Sequence, residues 1–154
     1  MTHRFALVAA LTLAGCASGG SPSGPTSAPG SQAANVALDG YCPVAYIEAG
    51  KAVKGDPAHQ TAHDGKTYYF ASADAKGLYD ADPGKYQVGY EGWCATAVAY
   101  NKKVPGDPTI FSVFEGETYL FANEGAKKTW DKNPAELKAK ADSNWPSLSG
   151  YASR

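Results

Sequence analysis

Large apolar side chains fall into three regimes along this 154-residue chain. A short apolar run covers residues 5–13, and residues 17–35 contain almost no large apolar side chain. From residue 36 onward, aromatic and aliphatic residues are abundant. Residues 36–148 form a stretch long enough for a single domain with its own core. The pattern predicts one folded domain behind a leader and a linker, with an unstructured tail at residues 149–154.

Within the domain, short runs rich in aromatic residues and threonine are interrupted by a glycine turn, and this happens twice. The first turn is Asp64-Gly65-Lys66, and the second is Glu115-Gly116-Glu117. An acidic residue followed by glycine between two such runs is typical of a β-hairpin. The strands are predicted at residues 59–63, 67–71, 109–114 and 118–122.

A helix is predicted after each hairpin. Ser72 is a suitable N-cap for a helix that reaches about residue 80, and Asn123 for one that reaches about residue 132. Pro83 and Pro134 then interrupt the chain. A last helix is predicted at residues 135–141.

The chain also matches itself when it is shifted by 51 residues. Residues 64–71 then lie over residues 115–122, and with one more residue of shift Gly40-Tyr41-Cys42 lies over Gly92-Trp93-Cys94. A period of about 50 residues is typical of a copied supersecondary unit. We therefore predict an α+β fold of two duplicated hairpin-helix units with antiparallel sheet, related by a pseudo-twofold axis, with the helices outside.

Cys42 and Cys94 occupy equivalent positions in the two units, and equivalent residues near such an axis can meet. Each cysteine opens a short segment that is compatible with a helix start or a buried strand. Two interpretations stay open. One is a Cys42–Cys94 disulfide, which would contribute about 4 kcal/mol by closing a loop of about 50 residues. The other is a two-thiolate site for a soft metal ion, Cu(I) above harder ions.

A third metal ligand could come from His59, from His63 or from a second chain. The two histidines are four residues apart, and residues at this spacing share a face of a helix or of a strand. The plainer interpretation makes them ordinary hairpin residues. Zinc is less expected than Cu(I), because a closed structural zinc site would need four ligands.

The beginning of the chain predicts export and lipidation. His3 and Arg4 precede the apolar run, which closes with Leu13-Ala14-Gly15-Cys16. This ending resembles the lipobox of bacterial lipoproteins, in which the cysteine is lipidated and becomes the first mature residue. We expect a signal peptide at residues 1–15, lipid chains on Cys16 and a flexible linker at residues 16–35. Ala17 follows Cys16 in place of the aspartate that retains many bacterial lipoproteins in the inner membrane. In a host with two membranes we therefore expect an outer membrane lipoprotein that faces the oxidising periplasm.

Composition excludes several classes of function. Fourteen basic and fifteen acidic residues give a net charge of −1, and no run of lysine or arginine occurs. Nucleic-acid binding is therefore not expected. The chain has no phosphate-binding glycine loop, nucleophile elbow, HExxH or CxxC motif. We do not expect an enzyme.

Several motifs together resemble a secreted YHS-domain protein, and the match covers nearly all of residues 36–148. They are residues 40–46, 65–72, 82–86, 92–95 and 142–146, with His63, Tyr68 and Ser72 supplying the residue types that name the family. YHS and related TRASH modules are associated with heavy-metal handling, and in those members cysteines near the strand phenylalanine bind the metal.

At those positions this chain has alanines, Ala71 and Ala75 in one unit and Ala122 and Ala126 in the other. The resemblance therefore implies the fold more firmly than the metal. The sequence predicts a lipid-anchored extracytoplasmic YHS-type domain that binds Cu(I) through Cys42 and Cys94, with a metal-handling or envelope protein as its partner. The alternative is a non-enzymatic envelope scaffold or interaction module held by a Cys42–Cys94 disulfide.

Overall fold

The computed structural model describes residues 35–150. This part of the chain is α+β, with two antiparallel two-stranded sheets and five helices. The helices are α1 (Pro43–Glu48), α2 (Ala73–Ala81), α3 (Ala95–Ala99), α4 (Glu124–Lys132) and α5 (Pro134–Ser149). The strands are β1 (Asp56–His63), β2 (Lys66–Phe70), β3 (Asp107–Phe114) and β4 (Glu117–Phe121). The α+β prediction is confirmed, and the predicted signal peptide and Cys16 lie outside the described residues.

Both hairpins form where the sequence predicts them. The turn residues Asp64 and Gly65 have φ of 49° and 72°, and Glu115 and Gly116 have φ of 54° and 82°. Positive φ at both central residues is typical of a type I′ turn, whose twist matches that of the flanking strands. The pairings β1–β2 and β3–β4 each contain one register shift close to the start of the hairpin.

The predicted helix caps are also confirmed. The side chain of Ser72 accepts a hydrogen bond from the amide of Ala75 at 3.1 Å, and that of Asn123 from the amide of Ala126 at 2.9 Å. The last helix differs from the prediction, because α5 starts at Pro134 and continues past Pro146 to Ser149. Burial of Leu148 against the core accompanies this extra length and outweighs the helix-breaking tendency of the proline.

Each cysteine precedes a short helix, which resolves the choice between helix and strand. Cys42 is the N-cap of α1, and Cys94 is the N-cap of α3. The amide of Cys42 donates to the carbonyl oxygen of Val53 at 2.8 Å, and the amide of Cys94 donates to that of Val104 at 2.9 Å. The two cysteine backbones are therefore held in corresponding ways.

The core consists of two hydrophobic clusters. We name residues 37–86 the first half and residues 89–149 the second half. The cluster of the first half contains Cys42, Val44, Ala45, Phe70, Tyr79 and Tyr86. That of the second half contains Tyr90, Cys94, Ala95, Val98, Ala99, Tyr119, Phe121, Trp130, Leu137, Ala141 and Leu148.

Tyr46 connects the two halves. Its hydroxyl donates to the carbonyl oxygen of Pro108 at 2.8 Å, and its ring packs against Phe111 with 4.7 Å between the centroids. Burial raises the pKa of this hydroxyl well above its ordinary value, so Tyr46 stays a neutral donor. The contact holds the halves side by side.

Within residues 35–150, no helix has the length and apolar character needed to span a bilayer.

Candidate functional site: a cleft between the two halves

A cleft of about 600 Å³ lies between the two halves. One wall comes from residues within 35–39 together with the turn and second strand of the first hairpin. The other comes from residues within 87–93 and 105–108 and from Leu120. Clefts that hold small ligands have volumes of about 300–1,000 Å³. The size of this one is therefore suited to a small organic molecule.

Both walls include a backbone segment in an uncommon conformation. Leu38 and Asp39 have φ of 54° and 49°, and Tyr90 and Glu91 have φ of 53° and 54°. Two consecutive non-glycine residues with left-handed backbone are rare, and such strain is concentrated at functional sites. Here it places Asp39 on one wall of the cleft and Glu91 on the other.

Matching backbone hydrogen bonds hold these two segments. The amide of Gly55 donates to the carbonyl oxygen of Gly40 at 2.8 Å, and the amide of Gly106 donates to that of Gly92 at 3.1 Å. A side chain at position 106 would bring a Cβ to 2.6 Å from the Gly92 oxygen. Glycine is therefore required for this close approach of the two backbones on the second wall.

The charged side chains on the walls are mostly acidic. Asp39, Asp64 and Glu91 contribute carboxylates, and Lys66 contributes an ammonium group. The Nζ of Lys66 lies 3.4 Å from Oε2 of Glu91. Both partners are partly exposed, so this pair adds little stability, but it compensates the charge of one carboxylate.

Tyr68 and Trp93 supply the aromatic part of the cleft. Burial raises the pKa of the Tyr68 hydroxyl, which keeps it neutral. The Nζ of Lys103 lies 4.6 Å from the ring centroid of Trp93. The cleft therefore combines aromatic surface with polar groups, as ligand sites commonly do.

The structure places both predicted histidines on β1, in the first hairpin. His63, at the end of β1, has its Nε2 atom 3.3 Å from Oδ2 of Asp64 and 3.5 Å from the side-chain nitrogen of Gln87. Asp64 and Gln87 both line the cleft, so His63 supports its rim. His59 is a half-buried residue of β1.

Both domain cysteines are fully buried free thiols, with exposed fractions of 0% for Cys42 and 1% for Cys94. The disulfide that the sequence allowed is therefore not present. Cys42 packs in the cluster of the first half and Cys94 in that of the second half. Because each sulfur is enclosed by its own cluster and fixed by its own helix start, the pair does not form a cross-link.

No three His, Cys, Asp or Glu side chains within residues 35–150 form a group that could hold a metal ion. His59 and His63 therefore do not complete a site with Cys42 and Cys94. Copper binding by the two thiols alone stays a prediction.

The sequence did not identify the cleft, although it contained a pattern that points to it. The self-match with the extra residue of shift aligns Leu38-Asp39-Gly40 with Tyr90-Glu91-Gly92. In both halves an acidic residue followed by glycine marks the left-handed segment in the sequence. Their position on facing walls depends on the packing between the halves.

Comparison of the chain with family models, with curated proteins and with solved structures gives no match. The likeness to secreted YHS-domain proteins is therefore a resemblance of motifs.

Proposed function

We propose that this protein is a lipid-anchored, extracytoplasmic YHS-type binding module, and that it holds a small ligand in the cleft between its halves without catalysing a reaction. The observation that carries the proposal is the cleft itself, about 600 Å³ in volume and lined by charged, aromatic and aliphatic side chains. Ligand sites are typically apolar clefts with a few polar groups in fixed positions.

We infer that the two halves are copies of one unit, related by a pseudo-twofold axis. Their elements follow in the same order, from a 3₁₀ turn through a short helix and a hairpin to a second helix. The caps Ser72 and Asn123 correspond at the 51-residue shift, and so do the hydrogen bonds from Thr61 to Asp80 at 2.7 Å and from Ser112 to Asp131 at 2.8 Å. Duplication accounts for a cleft whose two walls use similar backbone segments.

Anchoring is part of the same proposal and rests on the leader sequence. The ending Leu13-Ala14-Gly15-Cys16 favours lipidation of Cys16, and the linker at residues 16–35 would separate the domain from the membrane surface. A flexible linker of this length spans on the order of 25 Å. The domain would then collect ligand within a short distance of the membrane, alone or for an envelope protein partner.

The experiment compares a variant that fills the cleft with a matched variant outside it. Gln87 lines the cleft and Gln60 lies on the exposed part of β1, so we would prepare Gln87→Trp and Gln60→Trp. A panel of small cations, anions and neutral molecules is screened by the ligand-induced shift in melting temperature. We expect at least one compound to stabilise the wild type and Gln60→Trp but not Gln87→Trp. Stabilisation of all three proteins alike, or of none, would refute the proposal.

A second candidate function is Cu(I) binding by Cys42 and Cys94. The observation in its favour is that both thiols are free and stand at corresponding helix starts. The test is a titration of reduced protein with Cu(I) against a colorimetric chelator, using Cys42→Ser and Cys94→Ser as controls. Competition by the wild type that both variants lose would support copper binding, and equal competition by all three would exclude it.

A further inference from the structure

The loop of residues 100–104, which follows α3, exposes two large apolar side chains. Tyr100 is 57% exposed and Val104 is 37% exposed. The other two exposed large apolar residues within residues 35–150, Leu78 and Val113, stand on separate elements, α2 and β3. Single apolar residues are normal on a protein surface, whereas a group of them marks a site of contact.

The backbone of this loop is fixed at the end of α3. The amide of Lys102 donates to the carbonyl oxygen of Ala97 at 2.9 Å, and the amide of Asn101 donates to that of Val98 at 2.9 Å. Asn101 has a φ of 55°. This is the Schellman arrangement that ends many helices. The side chains of the loop are therefore presented from a rigid turn.

Basic and aromatic groups accompany the exposed apolar ones. Lys102 is exposed and forms no ion pair with any residue of the described part of the chain. The Nζ of Lys103 lies 4.6 Å from the ring centroid of the half-buried Trp93. No aspartate or glutamate occurs between Gly92 and Gly106. The loop is therefore both basic and amphipathic.

The neighbouring helix does not cancel this charge. α5 packs against α3 and presents two ion pairs, Lys140 with Glu136 at 2.7 Å and Lys138 with Asp142 at 2.8 Å. Each pair is neutral as a whole. The positive charge of the loop is therefore not offset by α5.

The corresponding loop of the first half has a different surface. The amides of Cys42 and Cys94 donate to the carbonyl oxygens of Val53 and Val104, so residues 49–53 correspond to residues 100–104. Gly50 has a φ of 60°, close to that of Asn101. Alanines stand at positions 49 and 52, where the second half has Tyr100 and Lys103. The turn therefore forms with small side chains, and the fold does not require the exposed tyrosine.

From this comparison we propose that the 100–104 loop is a membrane-docking surface, and that its partner is the headgroup region of a bilayer containing anionic phospholipid. Tyrosine and tryptophan are favoured at the interface between membrane and water, and lysine is attracted to anionic headgroups. Val104 adds aliphatic contact. Trp93 also lines the cleft, so docking brings the wall of the second half close to the bilayer.

The inference rests on the anchoring part of the proposed function and is independent of the ligand in the cleft. A linker that spans on the order of 25 Å keeps the domain within reach of the bilayer, so even a weak docking surface is engaged.

The test measures vesicle binding by a chain that carries no lipid. The mature chain, residues 16–154 with Cys16→Ser, contains every described residue and is sedimented with sucrose-loaded vesicles. Vesicles of phosphatidylcholine alone are compared with an equimolar mixture of phosphatidylcholine and phosphatidylglycerol. We expect tighter binding to the anionic vesicles, and the bound fraction should fall as salt is raised. Binding to neither kind of vesicle would overturn the proposal and leave an envelope protein as the partner of the loop.

Matched variants locate the docking surface. Lys102→Gln should weaken binding to the anionic vesicles about fivefold, which corresponds to about 1 kcal/mol for one lysine near the surface. Lys51→Gln removes the exposed lysine at the corresponding position of the first half and should leave binding unchanged. Tyr100→Ala should weaken binding about threefold, the effect of keeping roughly 30 Å² of apolar ring in water. Leu78→Ala, at an exposed position of α2, is its control.

The outcomes separate docking from the other parts of the proposed function. Equal losses for Lys102→Gln and Lys51→Gln, or wild-type binding by Tyr100→Ala, would mean that charge alone attracts the protein and that the loop is not a docking surface. Melting temperatures establish that each variant is folded. Lipidation of Cys16 is measured separately by mass spectrometry, and the ligand screen with Gln87→Trp and Gln60→Trp contains no vesicles. Failure of docking therefore leaves both of those results unchanged.

Discussion

The first and second halves contain the same elements up to their second helix, but their cores are closed in different ways. In the second half, α5 adds Leu137, Ala141 and Leu148 to the hydrophobic cluster. In the first half the chain continues as the 3₁₀ turn Pro83–Tyr86, where the hydroxyl of Tyr86 donates to Oε1 of Glu48 at 2.8 Å. One half is closed by apolar burial and the other partly by a polar contact near the surface.

This difference predicts an unequal distribution of stability. A fully buried leucine contributes roughly 1.5–3 kcal/mol, whereas an exposed ion pair contributes about 0–1 kcal/mol. The pair in question joins Lys85 to Glu48 at 2.7 Å, with both side chains partly exposed. We therefore expect the second half to contribute more of the free energy of unfolding. The cleft wall that belongs to the second half should then be more stable than the wall that belongs to the first half.

The largest expected effect comes from the aromatic side chain at the centre of each half. Trp130 and Tyr79 correspond at the 51-residue shift, and both are fully buried. Trp130→Ala should lower the free energy of unfolding by about 4 kcal/mol and Tyr79→Ala by about 3 kcal/mol, since the larger cluster loses more contacts. Urea denaturation measures both. The exposed substitution Lys128→Ala should change stability by less than about 0.5 kcal/mol. A larger loss for Tyr79→Ala would reverse the comparison.

A smaller effect is expected where α5 is joined to α3. The side-chain amide of Asn144 donates to the carbonyl oxygens of Val98 and Ala99 at 3.0 and 3.1 Å, at the end of α3. Asn144→Ala leaves these acceptors without that donor and should cost about 2 kcal/mol in urea denaturation. Ser143→Ala, at the exposed neighbouring position, is the control. Equal stability of the two variants would mean that α5 is held by apolar contacts alone.

The helix caps test whether the halves are equal where their sequences correspond. Ser72 caps α2 and Asn123 caps α4 through the same type of side-chain bond. Replacing either residue by alanine should cost about 1 kcal/mol, and the two losses should agree within experimental error. Thermal unfolding monitored by circular dichroism is sufficient. A clear inequality would indicate that one of the two helices is held mainly by its tertiary contacts.

Local rules account for the part of the fold that the sequence predicted. The hairpin turns and the helix caps Ser72 and Asn123 each depend on a few neighbouring residues, so their patterns are readable along the chain. At Cys42 and Cys94 the sequence left a helix start and a buried strand equally open, and the structure shows helix starts. The prediction for α5 ended at residue 141, before Pro146, because only the packing of Leu148 against the second cluster shows that the helix continues.

The site was harder to predict, because it depends on contacts between distant residues. The repeated positions of Cys42 and Cys94 favoured a shared site, but each sulfur lies in the cluster of its own half. Corresponding positions in the two halves give the two residues similar surroundings, but they do not determine the distance between them. Asp39 and Glu91 also correspond in sequence, and they line the same cleft because their segments lie at the contact between the halves.

The smallest expected effect concerns the polar contact that closes the first half. Hydrogen bonds from Lys85 and Tyr86 lower the pKa of Glu48 below its ordinary value. A carboxylate with a lowered folded-state pKa contributes its full stability above the unfolded pKa, about 4.3, and loses it as the pH falls through the folded value. Glu48→Gln should therefore be slightly less stable than the wild type at pH 7, and the difference should shrink below about pH 4.3.

Urea denaturation across this pH range measures the difference in stability between Glu48→Gln and the wild type. Repeating the substitution in a Lys85→Gln protein shows whether Lys85 causes that difference. In a protein that already carries Lys85→Gln, the charged partner of Glu48 is gone, so Glu48→Gln should have a smaller effect than in the wild type. The same pH-dependent loss in both backgrounds would mean that Lys85 does not stabilise the Glu48 carboxylate. The pH dependence would then come from the hydrogen bond that Tyr86 donates to Glu48, and the first half would be closed by that contact together with the burial of Tyr86.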